Sequence, residues 1–104
     1  MSQAVYSFGR MKIKDYEQYL KTYGVPFLPI LTKYGGKLLA ATKNGRVIEG
    51  TEEGNWTVLI AFPDGKSAAT FYQSPEYAPL KKLRLETLTD SALAITFPAE
   101  TPTE

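Results

Sequence analysis

The chain has 104 residues, 43% of them hydrophobic and 22% charged, with a formal net charge of +1. This is ordinary globular composition at the length of one domain. So small a charge excludes a general electrostatic attraction to nucleic acid or to an anionic membrane.

Cysteine and histidine are both absent. Their absence removes disulfides, thiolate nucleophiles, Ser-His-Asp and Cys-His constellations, and the usual zinc, non-haem iron and haem ligand sets. The only adjacent acidic pair, Glu52-Glu53, falls in a polar stretch without EF-hand spacing. No metal and no cofactor are expected, and any proton transfer falls to Tyr, Asp, Glu or Lys. No apolar run reaches the roughly 20 residues needed to cross a bilayer. The opening MSQAVYSFGR lacks the basic and long apolar regions of a signal peptide, so a cytoplasmic protein is expected.

In chain order, residues 4–13 have strand composition, with Val5, Ser7, Gly9, Met11 and Ile13 on one face. Asp15, with Gln18 three residues later, starts a helix. Tyr16, Tyr19, Leu20, Tyr23, Phe27, Ile30, Leu31 and Tyr34 recur at steps of three and four. Gly24, Pro26 and Pro29 interrupt that face, which predicts a kinked or two-piece helix over about 15–34. Gly35-Gly36 ends it, one of the two in the left-handed conformation. Asn44-Gly45 between two extended segments predicts a two-residue hairpin. Residues 56–63, WTVLIAFP, form a nearly continuous apolar strand. Asp64 caps a second helix, and Ser74-Pro75-Glu76 restarts it with Ser at the N-cap and Pro at the first helical position. Pro79 makes a regular α-turn after Ser74 doubtful on sequence grounds. Residues 92–98 are the last strand, and 99–104 a polar tail expected to be disordered.

The pattern is that of an α+β, ferredoxin-like βαββαβ domain over residues 1–98, an antiparallel sheet with both helices on one face. Its strands are apolar on both faces: Trp56, Val58, Ile60 and Phe62 against Leu59 and Ala61, and Leu93, Ile95 and Phe97 against Ala92 and Ala94. Two helices cover only one face of such a sheet, and a large apolar face is rarely left in water. A homodimer that stacks two sheets is the expected cover.

The runs D-Y-E-Q-Y at 15–19, K-Y-G-G-K at 33–37, V-I-E-G at 47–50, W-T-V-L-I-A-F-P, A-A-T-F-Y-Q-S-P-E-Y at 68–77 and Arg84 resemble the domain-of-unknown-function family numbered 1330 over about residues 4–97. That resemblance implies the dimeric α+β barrel superfamily, with a pocket in each subunit between sheet and helices. Superfamily members include cofactor-free monooxygenases of phenolic substrates, muconolactone-type isomerases, haem-dependent enzymes and ligand-sensing domains. The lack of histidine speaks against the haem-dependent kind. Pro79 departs from the usual family pattern.

Two readings stand for FYQSPEYAPLKKLR. Tyr72 and Tyr77 are either core residues with hydroxyls at the rim, or Tyr77 and Arg84, two helical turns apart, face a cavity. Arg84 in a leucine-rich stretch suits a carboxylate, supplied by Glu49 or by a ligand. Tyr16, Tyr19 and Tyr23 have the spacing of core residues, and the resemblance singles out Tyr19. Trp56 either lines the cavity mouth or caps the core. Arg10 needs a partner, at a sheet edge or across a dimer interface. The candidate ligand-binding residues are therefore Tyr19, Glu49, Trp56, Tyr72, Tyr77 and Arg84, for a small hydrophobic or aromatic acid. The protein is expected to be a cofactor-independent enzyme, with a non-catalytic ligand-binding or stress-related module as the alternative and a purely structural dimer, its polar groups satisfied internally, as a third reading.

Overall fold

The computed structural model describes residues 3–102. Four strands, β1 (Val5–Ile13), β2 (Lys37–Thr42), β3 (Trp56–Phe62) and β4 (Thr89–Pro98), form an antiparallel sheet in the order β2-β3-β1-β4. Between them run α1 (Tyr16–Tyr19), α2 (Val25–Lys33), α3 (Gly65–Tyr72) and α4 (Ala78–Leu83). This is the α+β, ferredoxin-like arrangement expected from the strand and helix periodicities.

The caps are those the sequence predicts. Asp15 accepts from the Gln18 N–H (3.1 Å) and Asp64 from the Ser67 N–H (2.7 Å), each satisfying an orphan donor of a first helical turn. Between α1 and α2 the chain does not break. Residues Leu20–Gly24 widen into a π-helical turn in which the Val25 N–H reaches back five residues to the Leu20 carbonyl. Pro26, next in line, has no N–H to lose in the change of register. The kink expected at Gly24 and Pro26 is thus an expansion of one continuous helix. Gly35, at φ 84°, supplies the left-handed residue that ends α2. Gly36 has a different reason to be glycine: a Cβ there would overlap Leu31 Cδ1 and lie 2.8 Å from Phe62 Cε1. Gly36→Ala is expected to cost about 1–3 kcal/mol by overpacking, read as a lower denaturant midpoint at unchanged slope.

The Asn44-Gly45 hairpin does not form. β2 pairs directly with β3, and among the described residues 43–55 carry no strand. Gly45 lacks the positive φ that a type I′ turn requires. The base of this segment is instead tied to the sheet by Arg10, which donates to Glu52, to the Gly54 carbonyl (2.6 Å) and to Thr57 Oγ1 (2.5 Å). Arg10 therefore finds its partners within its own chain. The Asn55 side chain bonds both the N–H and the C=O of Ile13 and fixes where β3 begins.

Val5, Met11, Ile13, Trp56, Ile60 and Phe62 face the helices and are buried. On the other face, Ala40, Leu59, Phe8 and Ile95 form one row across all four strands. Leu93, Ile95 and Phe97 are 53%, 48% and 40% exposed there. β4 is longer than the expected 92–98, and the Ala99 N–H continues its ladder to the Ala4 carbonyl. Residues 103 and 104 of the expected tail lie outside the described residues. No helix among the described residues is long and apolar enough to cross a membrane.

Candidate ligand-binding site

A cavity of about 380 Å³ lies between the sheet and the helices. Its floor has a simple origin. One row across the sheet reads Ala41, Val58, Gly9 and Ala94, and Ser7 follows on the same face of β1. Small side chains here leave open the space that Met11 and Ile13 fill further along the same strand. A Cβ on Gly9 would meet nothing closer than 3.6 Å, so the missing side chain contributes volume and is not forced by a close contact.

The roof comes from the helices, and two of its polar groups lie on π-helical turns. The wide turn at Leu20–Gly24 carries Tyr23, and a second one at Arg84–Leu88 opens with Arg84. The Thr89 hydroxyl caps the Arg84 carbonyl at 2.8 Å. The Tyr23 and Tyr77 hydroxyls share a 2.6 Å hydrogen bond. Tyr77 is delivered by the Ser74 turn, where the buried Ser74 Oγ accepts from the Tyr77 N–H at 3.1 Å. The N-cap role expected of Ser74 is therefore met, and regular α-helix resumes only at Ala78.

The F-Y-Q-S-P-E-Y and K-Y-G-G-K motifs also hold each other. Glu76 accepts hydrogen bonds from Lys33 and from the Tyr34 hydroxyl. The Lys33 and Tyr34 hydrogen bonds hold the Glu76 carboxyl below its usual range. This cluster ties the C-terminal end of α2 to the turn that aims Tyr77 inward. Periodicity could not show it. The signal was complementary charge in the two most distinctive motifs.

Arg84 is 4% exposed. Its Nη1 makes a long contact to Met11 Sδ, 4.0 Å, the Tyr77 hydroxyl lies beside the guanidinium, and Nε has no hydrogen-bond partner among the described residues. Burial opposes its charge, but the phenol oxygens of Tyr77 and Tyr23 beside it more than offset that, and its pKa is raised. No Asp or Glu lines the cavity among the described residues. Glu49 lies on the exposed 43–55 segment, away from the cavity, and among the described residues no ion pair joins it to Arg84. Among the described residues the guanidinium is a buried cation with phenol oxygens but no carboxylate beside it, and a charge without a counter-ion is costly to bury.

Of the other candidates, Tyr19, Trp56, Tyr72 and Tyr77 all line the cavity with Arg84. Tyr19, Trp56 and Tyr77 are buried; Tyr72 is half exposed, under the Lys81 ammonium at 4.2 Å. Tyr23, read from sequence as one of three equivalent helix-face tyrosines, belongs with them. Its signal was its four-residue spacing from Tyr19.

Burial lifts the Tyr19 hydroxyl far above its ordinary pKa, against the pull of the Arg84 charge. Burial and neighbouring Tyr77 do the same to Tyr23. Both folded-state values exceed the unfolded value of 10.0. Their contribution to stability is therefore complete below about pH 10 and is lost as pH rises beyond it. In an alkaline absorbance titration, at least two of the seven tyrosines are expected to ionise only with cooperative unfolding. Smooth release by all seven in a folded protein would contradict these placements.

The fold has solved counterparts at low sequence identity. A protein of unknown function from Rhodopseudomonas palustris superposes with a TM-score of 0.78 at 13% identity, covering 98% of this chain and 86% of its own. A protein from Bacteroides fragilis, described as dimeric and ferredoxin-like, gives 0.61 at 13%, covering 91% and 95%. SnoaB, a cofactor-independent oxygenase from Streptomyces nogalater, gives 0.59 at 14%, covering 99% and 100%. Among curated proteins, no sequence matches. The K-Y-G-G-K and F-Y-Q-S-P-E-Y motifs, locked together here, fall within the region matched by a family model, residues 4–96, and the chain belongs to the domain of unknown function family DUF1330.

Proposed function

We propose that the protein is a homodimer in which each subunit binds a small aromatic or hydrophobic carboxylic acid. The carrying observation is Arg84: a charged guanidinium, 96% removed from solvent by its 4% exposure, lining an aromatic cavity with no acidic residue beside it. A monoanionic ligand supplies the missing charge, and a guanidinium is the group best shaped to take a carboxylate. Tyr19, Trp56, Tyr72 and Tyr77 supply the aromatic walls. The cavity's volume is that of a small-ligand site, within the usual ~300–1,000 Å³.

The dimer is supported by the open sheet face. The row Ala40, Leu59, Phe8 and Ile95, flanked by Tyr6, Phe97 and Leu93, has no cover among the described residues. Each few hundred Å² of apolar surface removed there contributes several kcal/mol, at about 25 cal/mol per Å², before association costs. The Bacteroides fragilis counterpart is described as dimeric.

Binding without chemistry is the better-supported half of this reading. The cavity lacks a carboxylate among the described residues, and Tyr19 and Tyr23 are held protonated, so none of these groups serves as a general base near neutral pH. The second reading, cofactor-independent catalysis on the bound acid, is favoured by the fold shared with SnoaB. It requires a tyrosine hydroxyl, such as that of Tyr77, to move the proton.

The chain's single tryptophan lies in the cavity wall, so its emission reports binding. Hydrocinnamate is expected to change Trp56 fluorescence saturably. The isosteric neutral hydrocinnamamide should bind at least about tenfold more weakly, as loss of one charge-assisted contact requires. Equal affinity for acid and amide would overturn the reading.

A further inference from the structure

Two buried side-chain donors lack a partner among the described residues, Arg84 Nε and Trp56 Nε1. Both side chains line the same cavity. Trp56 is 5% exposed and held edge-on by Tyr16 and Tyr19, with ring centroids 5.2 and 5.8 Å away. Orphaned buried donors are uncommon, because each forfeits its hydration without replacement. Two around one cavity are donors that an occupant with acceptor atoms would satisfy.

The rest of the hydrogen-bonding inventory points the same way. The Tyr23 and Tyr77 hydroxyls are engaged with each other. No carboxylate lines the cavity among the described residues, and Asn and Gln are likewise absent from its lining. The remaining polar side chains of the lining are the hydroxyls of Ser7, Tyr16, Tyr19 and Tyr72, which donate or accept, beside the donor-only Arg84 and Trp56. A carboxylate on the guanidinium leaves the indole N–H, on β3, with only the Tyr19 hydroxyl beside it and outside hydrogen-bond geometry, so a ligand acceptor would complete it.

We propose that the ligand is an aromatic acid carrying a second hydrogen-bond acceptor, a hydroxyl or carbonyl oxygen, which the Trp56 N–H takes while the carboxylate lies on Arg84. This deepens the acid-binding reading above and rests on it. The second acceptor selects among acids that the guanidinium alone would not distinguish. Since a buried indole N–H is a donor only, a neutral oxygen suffices, and a second full charge is not required.

The test compares hydrocinnamate with its ortho-, meta- and para-hydroxy derivatives and with phenylpyruvate, on wild-type protein and on Trp56→Phe. Affinities are taken by calorimetry, and the single indole N–H resonance is followed by proton–nitrogen NMR. At least one acceptor-bearing acid is expected to bind about tenfold tighter than hydrocinnamate, the worth of one hydrogen bond to an orphaned buried donor. It should move the indole proton downfield, and its advantage should vanish in Trp56→Phe, while plain hydrocinnamate leaves the resonance nearly in place. The resonance is read on wild-type protein, so the test survives even a poorly folded variant. If all the acids bind alike and none moves the indole proton, the Trp56 assignment is overturned and the Arg84 reading stands. If none of them binds, both fall together.

Discussion

Arg84→Met is expected to make the ligand-free protein more stable and, in the same step, to remove the proposed acid binding. Methionine keeps much of the side-chain bulk and its packing against Met11, and it takes away a buried charge that has no counter-ion among the described residues. Substituting buried ionic groups by apolar ones of similar volume is often neutral or stabilising. A gain of about 1 kcal/mol would raise Tm by roughly 4–8 °C in a domain of this size. Binding moves the other way. Truncating one side of a buried, hydrogen-bonded charge pair costs about 2–5 kcal/mol, roughly 30- to 5,000-fold in affinity. Scanning calorimetry and a hydrocinnamate titration check the two halves. The opposite signs are the signature of a residue kept for binding at the expense of stability. A variant that is destabilised yet still binds acids would make Arg84 a structural residue.

Ile95→Asp is expected to dissociate the proposed dimer. Ile95 ends the apolar row that runs through Phe8 and Leu59 to Ala40, and it is half exposed within one chain, so a folded subunit tolerates change there. In a two-fold dimer each substitution appears twice, and two carboxylates would be buried against apolar side chains. A loss of about 4 kcal/mol, near 1,000-fold in dissociation constant, is a modest expectation. Sedimentation equilibrium measures it, with circular dichroism to follow the subunit's fold. A variant that stays as dimeric as the wild type would place the interface elsewhere, and a monomeric wild type would remove it.

The sheet and its faces were legible because strand alternation records which side each residue occupies. Val5, Met11 and Ile13 face the helices as their spacing requires. The caps at Asp15, Asp64 and Ser74 were legible because capping is local chemistry. Asn44-Gly45 misled because a turn dipeptide competes with every other pairing open to its flanks. Here Thr42 takes the Asn44 N–H, and Arg10 draws in Glu52 and Gly54. The π-helical turns were not legible as such: Gly24 and the prolines announced an irregularity, but the choice between a break and a widened turn depends on packing against the sheet. Arg84 stood out as a charge among leucines. That Glu49 would not reach it, and that Glu76 would serve Lys33 and Tyr34 instead, are facts of tertiary placement. The cavity's floor was present as small residues, Ser7, Gly9, Ala41 and Ala94, but only the strand register brings three of them into one row.

The chain contains three arginines, Arg10, Arg46 and Arg84, so a proton–nitrogen spectrum of their Nε–H groups has three signals, and Arg84→Met assigns the one that matters. On addition of hydrocinnamate, the Arg84 Nε proton should move downfield and exchange more slowly with water as the carboxylate takes it up. The Arg10 signal, already committed to Glu52, should stay where it is. An Arg84 signal that ignores saturating acid would contradict the account at its centre.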